Sequence, residues 1–355
     1  MGFQLYYSNR WVVQNLAIFY RVLRGFARAF LLGKNTLKTI ELYPTFDCQS
    51  NCLMCSVSKY RKDGVAKLTP ADYRSLAKQG ADLGAIAISI LGGEPLLAED
   101  LEEIVAICKE QRFFVTIVSN ALAVSRERIK SLKQAGLDSI YFSVESLDEE
   151  INDRIRGVKG HFRKVMDAVD LCKSEGLLVG LAGVIFPGQV ERFVELVEYC
   201  QAHGLLATGG ELAKVGRGEE LEIVSAGENA RLRSLLQKHK RLTFDWGLSY
   251  FLKYRCPAGK EKIGVTCYGD VIGCSLNPLA FGNIKEEPLK KIWERMGLFS
   301  QYQKDSLRCL SAGDRDFIED YLEPVAFWPE NPIYFARHPR ITPETESALF
   351  RQLKD

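Results

Sequence analysis

The chain of 355 residues has no acidic residue before Glu41, four histidines, no low-complexity tract and a net charge of only +2. A charge that small excludes a whole-molecule electrostatic hold on nucleic acid. No small-residue cleavage site follows the first apolar run, so that run does not read as a secretory signal. With the signal goes the disulfide-built extracellular scaffold, which is usually a much smaller chain. Histidine offers no obvious acid–base centre. His161, His203, His239 and His338 fall on helical or tail segments, where surface or packing roles are expected. What the sequence does have is cysteine, ten of them, at 48, 52, 55, 108, 172, 200, 256, 267, 274 and 309. In a reducing cytoplasm such thiols are metal ligands or small buried hydrophobes. Cys108, Cys172 and Cys200 each lie inside a helical pattern beside apolar residues and read as the latter.

The acid-free start carries Arg10, Arg21, Arg24, Arg28, Lys34 and Lys38 among Trp11, Leu16, Ile18, Phe19, Tyr20 and other bulky apolar residues. Gln14, Arg21, Arg24 and Arg28 fall near one helical face, and apolar side chains cover the rest. This is a basic amphipathic helix. A membrane-spanning helix would place three arginines in its core half, which is costly. Two placements remain, a helix packed on its own domain or one lying in a membrane interface. The second would set the active site beside lipids.

From residue 39 the pattern alternates strand and helix. Buried-strand runs occur near 39–46, 85–91, 113–118, 139–144, 177–186 and 205–215. Helical patterns fall near 69–83, 99–111, 125–135, 161–175 and 189–203. Six βα repeats argue for an α/β fold with a parallel sheet. Six strands are too few to close an eight-stranded barrel, which leaves a partial one. In any such sheet the chemistry belongs at the C-terminal ends of the strands. A charged turn at 216–220 and a helix near 227–240 lead into a region of short strands, turns and four cysteines. The expected division is an N-terminal helix over 1–38, a barrel over 39–225, a small metal domain over 226–320 and an irregular, proline- and aromatic-rich strap over 321–355.

Cys48, Cys52 and Cys55 form C-x3-C-x2-C just after the first strand. Three thiolates can hold three corners of an iron–sulfur cube and leave the fourth iron open to a ligand. A structural zinc site wants a fourth ligand, and no Cys or His stands nearby in sequence. This spacing, in a six-fold βα chain, resembles the radical S-adenosylmethionine (SAM) superfamily. Met54 stands where an aromatic residue is common in that family, and it would still pack against a cluster. Gly92-Gly93-Glu94-Pro95 after the second strand resembles the family's GGEP segment, whose backbone and acid contact the SAM amino group. Ser119-Asn120 resembles its T-N-G segment. Ser143-Val144-Glu145-Ser146 resembles S-x-D-G, with Glu145 in place of Asp. Arg156 lies where family members hold the SAM carboxylate, and Val184 where adenine contacts are common. The resemblance thus implies SAM contacts at Gly92, Gly93, Glu94, Ser119, Asn120, Ser143, Glu145 and Arg156.

The stretch from Cys256 to Cys274, with Gly269, satisfies C-x(9–15)-G-x4-C and also contains Cys267, and Phe281-Gly282-Asn283-Ile284 and Leu289-x2-Ile292-Trp293 follow. This resembles the auxiliary-cluster extension called SPASM, or its shorter form, twitch. Cys309 follows, and four cysteines suffice for one [4Fe–4S] cluster. The implied content is one auxiliary [4Fe–4S] cluster on Cys256, Cys267, Cys274 and Cys309, with a tetrathiolate zinc site as the alternative. The fold implied is α/β, a partial (β/α)6 TIM-like barrel with a small C-terminal iron–sulfur domain.

The resemblance also implies the chemistry. The SAM-bound [4Fe–4S] cluster, reduced by a flavodoxin- or ferredoxin-type donor, cleaves SAM to a 5′-deoxyadenosyl radical, which removes a hydrogen atom from the substrate. An auxiliary cluster would take up an electron afterwards or anchor the substrate. Such an oxidoreductase-like enzyme works in the cytoplasm, with the N-terminal helix as a peripheral membrane contact. A small-molecule or lipid-linked substrate is the favoured expectation. A ribosomal peptide is the alternative, because its recognition domain usually needs more than the 38 residues that precede the first strand. A non-catalytic metal-binding protein is a third. Tyr141, Trp246 and Arg217 are further candidates for the substrate pocket, each with an ordinary packing or turn role as its rival.

Overall fold

The computed structural model describes residues 15–344 except 240, 241, 245, 246, 253, 307 and 343; at 236, 237, 243, 244, 247, 248 and 254 it describes the backbone alone. Arg10, Trp11, Gln14, Trp246 and the last part of the strap lie outside the described residues.

Helix α1 (Leu16–Leu32) is capped by the Asn15 side chain and by Gly33 in the left-handed conformation. The βα repeats follow: β1 (Thr39–Tyr43), α2 (Pro70–Leu83), β2 (Ala87–Ile90), α3 (Leu101–Glu110), β3 (Phe114–Ser119), α4 (Arg126–Ala135) and β4 (Ser139–Ser143). Two helices, α5 (Glu149–Arg156) and α6 (His161–Ser174), lead to β5 (Leu178–Ile185), α7 (Val190–Ala202) and β6 (Leu206–Glu211). All six expected strands are present and run parallel. Both faces of such a sheet are covered, so its strands read as near-continuous apolar runs, and this made them visible in the sequence. Thr69 and Asp72 close a capping box at the start of α2, with Pro70 at the first helical position.

The sheet does not stop at six strands. After α8 (Ala226–Lys238), β7 (Leu242–Phe244) adds in parallel to β6. A short ribbon, β8 (Gly247–Leu248) with β9 (Tyr254–Arg255), precedes an antiparallel meander of β10 (Lys262–Thr266), β11 (Asp270–Cys274) and β12 (Asn277–Asn283). Strand β10 pairs in parallel with β1, from Thr39–Lys262 to Tyr43–Thr266. The C-terminal region therefore extends the barrel sheet into eleven strands, ordered β13-β12-β11-β10-β1-β2-β3-β4-β5-β6-β7, with β13 at Ile333–Tyr334. Helix α9 (Leu289–Leu298) packs on β12. The described part of the strap lies over the same region, with Phe335 stacked on Phe281 at 5.3 Å.

Helix α1 packs on its own domain, and two of its arginines, Arg21 and Arg24, reach onto it. Arg21 donates to the carbonyls of Ala85 (3.3 Å) and Gln111 (2.9 Å), and Arg24 to that of Asp82 (2.6 Å). These carbonyls lie at or just beyond the ends of α2 and α3, where backbone acceptors lack helical partners and cations are favoured. Ile18, Val22, Gly25 and Ala29 are buried beside Ile86, Phe114 and Tyr250. An apolar stripe stays in solvent, with Leu16 81% and Leu31 80% exposed and Tyr20, Leu23 and Phe30 more than half exposed. The helix lies against the starts of β2 and β3. A membrane contact through its exposed face would therefore hold the C-terminal ends of the strands away from lipid, which corrects the expectation of an active site beside it. Among the described residues no helix is long and apolar enough to cross a membrane.

Candidate active site

The loop after β1 carries Cys48, Cys52 and Cys55, and neighbouring loops hold its backbone from three sides. Gly93 N donates to Thr45 O (2.9 Å) and Glu94 N to Asp47 O (2.7 Å) from the segment after β2. Leu53 N donates to Ile155 O (3.0 Å) in the last turn of α5, and Arg217 N to Cys55 O (3.0 Å) after β6. Close approach explains the glycines. A Cβ on Gly93 would stand 2.3 Å from Asp47 O, and one on Gly216, whose φ is +63°, 2.3 Å from Cys55 O. The Gly92-Gly93 pair thus meets the cysteine loop itself.

Glu94 is fully buried. Its carboxylate accepts from Leu96 N (3.0 Å), Ser119 Oγ (2.8 Å) and Asn120 N (2.6 Å), which ties the loop after β2 to the end of β3. Burial raises its pKa, and these bonds pull against the rise. Asn120 continues to the cysteines: its Nδ2 lies 3.5 Å from Cys48 Sγ, and Ser50 N lies 3.4 Å from the same sulfur. Ser143 ends β4. Two residues on, the Glu145 carboxylate accepts from Val184 N (2.6 Å) and from Arg156 Nη1 (3.2 Å). This ion pair is almost fully enclosed. Burial works against the Arg156 charge, but Cys52 and Glu145 raise its pKa overall, so the guanidinium stays cationic beside the cysteines. Beneath the pair, Glu145 N donates to Asn152 Oδ1 (3.1 Å) and Asn152 Nδ2 to His161 Nδ1 (3.0 Å). His161 is buried, and burial and Arg156 push its pKa down to about 4.

The eight residues matched to SAM contacts thus fall along the C-terminal ends of β2, β3 and β4 and at the last turn of α5, around the cysteine loop. Met54 is buried with Cys52, Ile155 and Leu212. Arg217 bonds to Asn51 of the loop. Val184 gives its amide to Glu145. Tyr141 is buried against Gly180 in the sheet. His203 stacks on Tyr199, His239 meets Gln201 and His338 stacks on Tyr321, so none of these reaches the loop. Cys108, Cys172 and Cys200 are buried in the helical layer, and burial pushes each thiol up to about 12.

The second cysteine group divides. Cys256, Cys274 and Cys309 share one buried region. The Cys309 thiol is raised by burial and then by the nearness of Cys256, Cys274 and Glu211. Cys267 lies elsewhere, at the turn joining β10 to β11, among Tyr43, Phe46, Tyr60 and Tyr268. Phe46, in the first loop, makes ring contacts there with Tyr43, Tyr60 and Tyr268.

Among the described residues, no three Cys, His, Asp or Glu side chains converge on one point at metal-ligand distance. The first loop fits an iron–sulfur cluster by its three thiols, by the amide donors aimed at Cys48 Sγ and by the adjacent cation. Such hydrogen bonds and charges are what set the properties of cluster sulfurs. The second group fits by three buried thiols and a buried carboxylate.

Comparison with known proteins agrees with this geometry. A family model described as the radical SAM superfamily matches residues 42–200, and one described as an iron–sulfur cluster-binding domain matches residues 256–312. A PqqA peptide cyclase of Granulibacter bethesdensis is 27% identical over 73% of this chain and 74% of its own length. An AdoMet-dependent heme synthase of Methanosarcina barkeri is 23% identical over 75% and 84%. The structure of Streptococcus suis SuiB bound to precursor peptide SuiA matches with a TM-score of 0.60 at 19% identity, over 75% of this chain and 67% of that one, a likeness of fold.

Proposed function

Because the chain belongs to the radical SAM superfamily and carries a C-terminal iron–sulfur cluster-binding domain, we propose that this radical SAM enzyme removes a hydrogen atom from a side chain of a peptide substrate, and that the auxiliary cluster would accept the second electron, making the reaction a net oxidation. The observation that carries the chemistry is the convergence of the Cys48, Cys52 and Cys55 loop with Glu94, Asn120, Glu145 and Arg156 at the C-terminal ends of the strands. What favours a peptide over the small-molecule or lipid-linked substrate first expected is likeness to PqqA peptide cyclases from two organisms, over 73% of this chain in each case.

Cys48, Cys52 and Cys55 would hold the first cluster and leave one iron for SAM. When bound, the cluster and SAM together supply a carbon radical able to take hydrogen from an unactivated position. The protein's part is placement. Glu94, anchored by three donors, keeps the glycine segment against the cysteine loop. Arg156 is positioned by Glu145 to face an anionic group, here the SAM carboxylate. The enclosing loops exclude water from a reactive intermediate.

A second reading, a small-molecule or lipid-linked substrate, draws on the heme synthase likeness. The test uses the anaerobically reconstituted chain with SAM and dithionite. It is supplied in parallel with a randomised synthetic peptide library and with a polar-lipid extract. Loss of hydrogen from peptides, matched by 5′-deoxyadenosine, is expected. Loss confined to the lipid extract would favour the second reading, and no SAM cleavage with full clusters would overturn the assignment of chemistry.

A further inference from the structure

We infer that helix α1 docks the protein on an anionic lipid bilayer. One side of the helix packs on the barrel, and the opposite side lies in the headgroup region. The inference is independent of which substrate the enzyme takes.

Helix α1 is apolar on two opposite sides. At about 3.6 residues per turn, Ile18, Val22, Gly25 and Ala29 share one side, and all are buried. Leu16, Tyr20, Leu23, Phe30 and Leu31 share the other, and all are exposed. Half of the large apolar side chains exposed among the described residues belong to this one helix. A single exposed leucine needs no explanation, but a continuous stripe marks a surface that something covers. Apolar surface continues off the helix. Phe30 stacks on Phe26 (6.3 Å), Phe26 meets Tyr250 edge-on (5.2 Å), and Leu252, two residues further on, is 56% exposed.

Charge identifies the occupant. The residues before Glu41 include six cations and no acid. Arg21 and Arg24 are engaged with carbonyls of the barrel, Asp82 O among them, and Lys38 lies over the Tyr250 ring (5.5 Å). Arg28 and Lys34 remain beside the stripe, and α1 has no acid to pair with them. A second copy of the chain would bring two such segments together with nothing on either to offset their repulsion. An anionic bilayer has the opposite sign. A helix with an exposed apolar side, flanking cations and no acid is suited to lie in its headgroup region. The sequence ahead of the helix extends the same chemistry with Tyr6, Tyr7, Arg10 and Trp11, and tyrosine and tryptophan are favoured at that depth. Since α1 packs beside Ile86 and Phe114, at the starts of β2 and β3, a bilayer under the stripe leaves the cysteine loop open to the aqueous side.

The test is flotation of the anaerobically reconstituted full chain with vesicles of phosphatidylcholine and phosphatidylglycerol in equal parts, and with vesicles of phosphatidylcholine alone. Strong binding to the mixed vesicles, weakened by high salt, and weak binding to the neutral ones are expected. Replacing Leu23, Phe30 and Leu31 together by serine abolishes binding and leaves SAM cleavage and circular dichroism as in wild type. Arg28→Gln with Lys34→Gln lowers affinity for the mixed vesicles about fivefold per cation removed and leaves the neutral ones unchanged. Ala27→Glu keeps the test decisive should the triple variant misfold. Ala27 is exposed between Leu23 and Phe30, glutamate is a good helix former, and one acid there lowers affinity about fivefold. No flotation of the wild type, or flotation undiminished in these variants, would overturn the inference. So would a concentration-dependent dimer in sedimentation velocity that the triple variant abolishes, because the stripe would then belong to a second copy.

Discussion

Replacing Arg156 by methionine removes the one cation paired with Glu145. The carboxylate side chain is 1% exposed and keeps Val184 N–H as its donor. Breaking a buried pair from one side costs about 3–5 kcal/mol. Here a second route caps the loss, because Glu145 can take a proton. Neutralising a carboxyl that ordinarily titrates at 4.5 costs about 1.4 kcal/mol for each pH unit above that value. The penalty is therefore about 2 kcal/mol at pH 6 and about 5 kcal/mol at pH 8, where the protonation route reaches the upper end of the cost of a broken pair. The sign follows from linkage. The variant's folded state holds a proton that the unfolded chain has released, so its stability falls as pH rises through that window. The assay is urea unfolding of the metal-free chain at pH 6 and pH 8, with wild type, Arg156→Met, Glu145→Gln and the double variant. The double variant, with neither charge, should recover most of the loss. An Arg156→Met penalty that is equal at both pH values, or below about 0.5 kcal/mol, would refute the account of an enclosed pair.

Gly93→Ala drives a methyl group into the backbone of the cysteine loop, and iron per chain should fall by about half as the first cluster is lost; normal iron content would show that the loop can yield. His161 titrates near 4 when folded and near 6.5 when unfolded, so acidification from pH 6.5 toward 4 should remove up to about 3 kcal/mol of stability. His161→Gln should flatten that loss in urea midpoints measured between pH 7 and pH 5. Thiol alkylation of the native chain at pH 8, read by peptide mass spectrometry, should leave Cys108, Cys172 and Cys200 unlabelled because each is buried with a thiol pushed up to about 12; fast labelling of any of them would show that its helix is not packed as described.

Much of the barrel could be read from the chain because its strands are buried on both faces and its helices carry caps. Helix α5 escaped notice for a physical reason. Its eight residues, EEINDRIR, include two apolar ones, too few to establish a period. Strand β7 has three residues and no pattern of its own. The cysteine loop was legible from spacing, and Arg156 from its offset after β4. Glu211 was not, since nothing local distinguishes a strand-end glutamate that folding buries. Cys267 falls inside the spacing motif without occupying either of its cysteine positions, and hairpin register, a property of two paired strands, sets it apart from Cys274. The pairing of β10 with β1 is likewise invisible to local patterning, because its two halves lie far apart in the chain.

That pairing governs the order in which the molecule can be made. Strand β1 emerges early in synthesis, and its partner on one flank, β10, follows about 220 residues later. Until then the first strand keeps an open hydrogen-bonding edge, and the loop that carries the first three cysteines hangs from its end. An unpaired edge of this kind invites pairing with a stray strand. A truncated chain that stops short of residue 262 would therefore be prone to aggregate however well its barrel sequence is preserved, and cluster insertion into the first loop would best follow completion of the C-terminal meander.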